Sequence, residues 1–195
     1  MSRISFENYG EKAALDAIST VRNGRYPSQI EAEKRIFHDV WNKLELDPTS
    51  EFLDIGFGAG NILAPISQLV RSATGVDHAN VVAKFRKDFP SFSGDLVPGN
   101  FLEIDFSSRR KFDKICIYSV LHCLSGLQEA IDFSVKAMKH LTPGGLLLIG
   151  DIPNRDLKTR FLNSAFGEIF DQTFKANRKD AVIHEQAVED PMVWE

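Results

Sequence analysis

The apolar positions of this chain change period along its length. Over residues 29–46 they fall at helical spacing, with Ile30, Ile36, Phe37, Val40, Trp41 and Leu44 forming one face, and over 11–21 Ala14, Leu15, Ala17, Ile18 and Val21 do the same. Asn23-Gly24 and Tyr26-Pro27 break the two helices apart. From residue 51 the pattern becomes short, nearly continuous apolar runs, too short for helices and of the length of buried strands: 52–55, 73–77, 112–118 and 146–149. A further strand over 96–102 is predicted despite Pro98-Gly99 inside it. Helical spacing returns between the strands, over 61–70, over 81–89 up to the stop at Pro90, and over 127–141, where Leu127, Ile131, Val135, Met138 and Leu141 form a stripe predicted to face the core. Pro65 falls near the start of its helix, where proline is tolerated. Residues 142–145, Thr-Pro-Gly-Gly, read as a turn.

Strands alternating with helices predict an α/β fold, a doubly wound and mostly parallel sheet with helices on both faces. The expected organisation is one domain over 1–195: a helical N-terminal cap over 1–50, a ligand-binding core over 51–154, and a remainder over 155–195. That remainder holds a helix over 157–170 and a polar tail in which only Ala181-Val-Ile183 resembles a strand. Strand five, or a minimal strand six, is therefore expected to form an open sheet edge that invites pairing with a second copy.

Composition narrows the function classes. The 195 residues are 43% hydrophobic, enough for one α/β core and too few for two ordinary domains. Lys and Arg number 23 against 27 Asp and Glu, and a net charge of −4 argues against broad affinity for a phosphate backbone, so no nucleic-acid partner is expected. No run approaches the roughly 18 apolar residues of a membrane span, and the N-terminus lacks a basic-then-apolar leader; no membrane association and a cytoplasmic location are expected. Cys116 and Cys123 have no metal-like spacing around them, so reduced structural thiols and no metal site are expected.

The segment Glu51-Phe-Leu-Asp-Ile-Gly-Phe-Gly-Ala-Gly-Asn61 carries the chemistry. An apolar strand breaks into alternate glycines ahead of a helix, so the backbone can turn sharply and approach a ligand closely. A dinucleotide fingerprint would place the third glycine one residue after Gly60, and Asp54 would repel a pyrophosphate. A carboxylate there favours an ammonium or sulfonium group instead.

With this spacing, and with the element order from Glu51 to Asn154, the chain resembles the class I S-adenosylmethionine (SAM) dependent methyltransferases, which have a Rossmann-like fold. The resemblance implies SAM as cofactor, S-adenosylhomocysteine (SAH) as product, and Asp54, Gly56, Gly58 and Gly60 around the methionyl part, with Phe57 alongside through its backbone. It also implies that Asp77, at the end of strand two, accepts hydrogen bonds from the ribose hydroxyls; the residue's other reading is a helix N-cap. His78 would flank the adenine.

Relatives often carry Gly-Asp after strand three. Here Gly99-Asn100-Phe101 stands in that place, so Asn100 would take the adenine amino group and Phe101 the ring, with Asp105 as a rival acceptor. Ser119, after strand four, would offer its backbone to the SAM amino group. His122 is the candidate general base, or else a loop histidine capping the helix that starts near Ser125, and Asp151 is the candidate substrate contact, or else a turn residue before Pro153. Tyr9, Tyr26 and Trp41 could roof the site. The Asn- or Asp-Pro-Pro-aromatic motif of many amine and adenine methyltransferases is absent.

The expected function is methyl transfer to a small-molecule acceptor. An NAD-linked oxidoreductase and a catalytically silent SAM-binding assembly module are the alternatives.

Overall fold

The computed structural model describes residues 6, 10, 30–106 and 110–177, with side chains described up to residue 173. The expected helix over 11–21, Tyr9, Tyr26 and the strand-like 181–183 lie outside the described residues. The chain divides into two compact units, with the boundary between Asp151 and Ile152.

The larger unit contains helix α1 (Ile30–Lys43) and the strands β1 (Glu51–Ile55), β2 (Ser72–Asp77), β3 (Asp95–Pro98), β4 (Phe112–Tyr118) and β5 (Leu141–Gly150). Between the strands lie α2 (Leu63–Ser67), α3 (Ala79–Asp88) and α4 (Leu127–Lys139). The strands form one parallel sheet in the order β3-β2-β1-β4-β5, so β1 and β4 lie at its centre. This is the predicted doubly wound α/β fold.

Burial on both faces explains why the central strands read as continuous apolar runs. Along β1, Phe52 joins the core under α1, α2 and α3, whereas Leu53 and Ile55 join the core under α4. Along β4, Cys116 belongs to the first core and Ile115 and Ile117 to the second. The period-two alternation thus sorts side chains between two cores. Asp54 shares the face of Phe52, pairing in register with Gly75 and Cys116.

Three expectations are corrected. β3 ends at Pro98 rather than at residue 102, because Gly99 takes φ +136° and Asn100 starts a turn whose Glu103 and Ile104 N–H groups donate to its carbonyl. The predicted turn over 142–145 lies within β5 as an irregularity: the register with β4 jumps from Phe112↔Leu141 to Lys114↔Leu146, and Gly144 takes φ +80°. Finally, the predicted core stripe of α4 is its outer face. Leu127, Ile131, Val135 and Met138 are exposed, whereas Ala130, Phe133 and Ala137 pack on the sheet, and Leu141 belongs to β5.

The second unit contains α5 (Arg155–Leu162) and α6 (Ala165–Asn177) in place of the single helix expected over 157–170. Asn154 caps α5 by accepting from the Leu157 N–H at 2.9 Å, and the Ser164 hydroxyl accepts from the Gly167 N–H at 3.1 Å at the start of α6. Phe161 packs against Phe166 and Phe170 within this unit.

Candidate active site

The glycine turn leaves β1 at the carboxyl edge of the sheet, where parallel α/β folds bind ligands. Gly56 takes φ +77° and Gly60 φ +84°. A Cβ on Gly56 would lie 2.4 Å from Val120, and one on Gly60 2.2 Å from the Phe85 ring. The protein's own packing therefore demands these two glycines, a requirement that the close-approach argument from sequence did not include. Gly60 N–H donates to the Phe57 carbonyl at 2.9 Å and closes the turn, while the Phe57 ring is buried against Phe85.

A pocket opens beside the turn, lined by Asp54, Gly56, Phe57, Gly58 and Ser119 among the predicted residues. Asp54 is 1% exposed, and its Oδ2 has no hydrogen-bond partner in the structure. Burial, with the Asp77 carboxylate adding to it, raises its pKa to about 8. A buried carboxyl oxygen without a donor costs free energy that a cationic or N–H-bearing ligand offsets. The ammonium and sulfonium groups of SAM supply such a charge, so the residues present fit that cofactor.

Asp77 serves the turn from the neighbouring strand. Its Oδ2 accepts from the Gly58 N–H and its Oδ1 from the His78 N–H, both at 2.7 Å. Burial lifts its pKa to about 6, against the lowering effect of these two bonds. Its alternative reading as a cap gives way to its neighbour: His78 caps α3, with Nδ1 accepting from the Asn80 N–H at 3.1 Å. The His78 ring is buried against Phe6 and Gly10.

Ser119 and Asp151 end β4 and β5 in left-handed backbone conformations, φ +58° and +56°. Such conformations are costly for residues other than glycine and concentrate at functional sites. The Ser119 hydroxyl donates to Asp151 Oδ2, joining the two predicted positions. His122 occupies the 3₁₀ turn Leu121–Cys123 and is half-buried. It does not cap α4: Gly126 holds the cap position, and Glu129 reaches back to accept from the Ser125 N–H.

Five predicted cofactor residues are not in the pocket lining: Gly60 and Asp77, which serve the turn as described above, and His78, Asn100 and Phe101. His78 is the helix cap just described. Asn100 is engaged locally, its Oδ1 accepting from the Leu102 N–H at 3.0 Å and its Nδ2 donating to Glu103 at 3.1 Å. Phe101 is 3% exposed in the core against Phe133, with rings 4.9 Å apart. Its rival Asp105 is exposed, and Trp41 packs against Phe37 at 6.0 Å. Sequence reasoning missed Glu33 of α1 and Tyr118 of β4, which line the pocket. Glu33 lies among Glu31, Lys34 and Arg35 and reads as a solvated charge; only its place on the Val40 face hints at burial.

Among the described residues no cluster of His, Cys, Asp or Glu could hold a metal ion, and no helix is long and apolar enough to cross a membrane. Both cysteines are free, and burial pushes the Cys116 thiol well above its ordinary pKa.

Comparison with known proteins agrees with this geometry. A family model described as "Methyltransferase domain" matches residues 53–149. No curated protein matches the sequence. Among solved structures, the N-methyltransferase NodS from Bradyrhizobium japonicum WM9, in complex with SAH, matches with a TM-score of 0.61 at 19% identity, over 74% of this chain and 71% of that one. Phosphoethanolamine N-methyltransferase 1 of Haemonchus contortus gives 0.63 at 18% identity over 74% of this chain and 31% of that one. CalS10, an amino pentose methyltransferase from Micromonospora echinaspora, gives 0.54 at 19% identity over 70% and 56%. This chain thus spans less than two thirds of the length of the latter two. S-adenosylmethionine is the cofactor that accompanies this domain. Residues 53–149 are a methyltransferase domain of the class I SAM-dependent family.

Proposed function

We propose that the protein transfers the methyl group of SAM to a small-molecule acceptor and releases SAH. The observation that carries this reading is the buried Asp54 carboxyl, with an unpartnered oxygen, in the pocket beside the glycine turn. It suits a cation and opposes the pyrophosphate that an NAD-linked oxidoreductase would place there. When bound, SAM supplies an electrophilic methyl group on a sulfonium. The chain's contribution is to hold that group against the acceptor and exclude water, since alignment alone can supply much of the acceleration.

In this reading Gly56, Phe57, Gly58 and Ser119 surround the methionyl end, and Asp77 holds the turn and takes the ribose. His78, Asn100 and Phe101 are assigned to the adenine side. His122 accepts a proton from an oxygen or nitrogen nucleophile, and Asp151, held by Ser119, contacts the acceptor. The net charge of −4 and the two small-molecule enzymes among the matched structures support an acceptor of that size. β5, paired only to β4 among the described residues, is the edge at which a second copy would add.

The test is SAH release from SAM over a panel of amino sugars, phenols and quinols, and carboxylic acids. Turnover on any of these supports the reading. SAM binding without turnover, together with a stable dimer by light scattering, favours the silent assembly module instead.

A further inference from the structure

Asp54 and Asp77 are two buried acids with unequal surroundings. Asp77 receives two backbone N–H groups at 2.7 Å, from Gly58 on Oδ2 and from His78 on Oδ1. Such donors favour the charged form of a carboxylate. Asp54 is as deeply buried, at 1% exposure against 3%, yet its Oδ2 has no hydrogen-bond partner. A carboxyl group so placed keeps its proton, because an unpaired charge inside the sheet costs far more than a neutral acid. Of the two acids, Asp77 is built to carry charge and Asp54 to carry a proton.

The groups that face Asp54 act in the same direction. Its register partners are Gly75 on β2 and Cys116 on β4, and burial followed by the Asp54 charge pushes the Cys116 thiol up, so that it stays neutral. Asp77 acts on Asp54 from the end of β2, while His78 and the Cys123 thiol of the 3₁₀ turn act on Asp77. Glu33 of α1 and Tyr118 of β4 line the pocket with Asp54; among the described residues no lysine, arginine or histidine does. Acidic and neutral surroundings disfavour a further negative charge. The pKa of about 8 at Asp54 agrees with this placement.

Resting on the SAM reading above, we infer that the cofactor exchanges for a proton: Asp54 is a neutral carboxylic acid in the ligand-free protein, and the cationic methionyl end of SAM ionises it on binding, its proton passing to solvent. The ionised acid is the form that pairs with the cation, so affinity for SAM rises with pH until Asp54 is ionised in the free protein, at about 8. Cofactor loading is thereby coupled to pH across the neutral range.

The experiment is calorimetric titration of the full chain with SAM at pH 7 in buffers of different ionisation enthalpy, which counts the protons released. The unsubstituted protein should release about one proton per SAM, and its affinity should rise about tenfold from pH 6 to pH 7. Asp77 adds little to the count, because its pKa of about 6 leaves it mostly ionised at pH 7. Asp54→Asn, which cannot ionise, should release almost no proton, and its affinity should change by less than about twofold over the same interval. Glu33→Gln should leave the count unchanged. If Asp54→Asn does not fold, the unsubstituted protein and Glu33→Gln decide between them. A release near zero from the unsubstituted protein, or a release lost in Glu33→Gln, overturns the inference while leaving the cofactor reading in place. Absence of SAM binding at millimolar concentration in every buffer overturns the cofactor reading itself, and this inference with it.

Discussion

Asp54 and Asp77 dominate the residue scale, because both are buried with pKa values raised to about 8 and about 6 from 3.8. Folding therefore retains protons that the unfolded chain releases above its carboxyl pKa, and by linkage this contribution to stability falls as pH rises through 6 and then 8. Unfolding of the ligand-free protein by urea at pH 6, 7, 8 and 9 should show a decline that Asp54→Asn makes shallower. Equal slopes for the two proteins would remove the buried acid from the account. Gly60→Ala should cost about 1–3 kcal/mol, because the substitution forces φ +84° on an L residue and drives its Cβ into Phe85. A loss below about 0.5 kcal/mol by thermal unfolding would mean that the turn relaxes freely. If His122 is the general base, His122→Gln should lower kcat by about a hundredfold or more without changing the SAM affinity. An unchanged kcat would leave alignment as the whole of catalysis.

At the scale of elements, the strands were the most legible part of the sequence. β4 was predicted residue for residue, because an apolar run of strand length buried on both faces has no competing helical reading. Helix α4 was legible as a helix but not in its orientation. Its larger apolar side chains, at 127, 131, 135 and 138, outweigh Ala130 and Ala137 on any hydrophobicity count, yet the sheet accepts the small side chains around Phe133. Close helix-to-sheet packing selects for size, which periodicity does not register. Phe133→Ala should accordingly cost about 3–5 kcal/mol. Ile131→Lys, on the outer face, should cost less than about 0.5 kcal/mol, and the reverse order in urea titrations would restore the stripe as the core face. The site was legible where chemistry is tied to a turn, as at Asp54 and the glycines, and illegible where it depends on a helix's rotation, as at Glu33.

At the scale of the whole molecule, the parallel sheet brings the ends of β1, β2, β4 and β5 to one edge, with the glycine turn at the centre and an acid at or near the ends of β1, β2 and β5, namely Asp54, Asp77 and Asp151. The central claim is that this edge holds a cationic adenosyl cofactor rather than a dinucleotide. A ligand bound only by the folded state adds stability by mass action, about 2.7 kcal/mol at a concentration of one hundred times its Kd. Saturating SAM should therefore raise the unfolding temperature, and NADH should not. The most direct measurement is calorimetric titration of the intact chain with SAM, SAH and NADH in parallel. The account predicts one site of about micromolar affinity for SAM and for SAH, abolished by Asp77→Ala, and no heat from NADH. Binding of NADH in preference to SAM, or no binding of SAM at millimolar concentration, would contradict it.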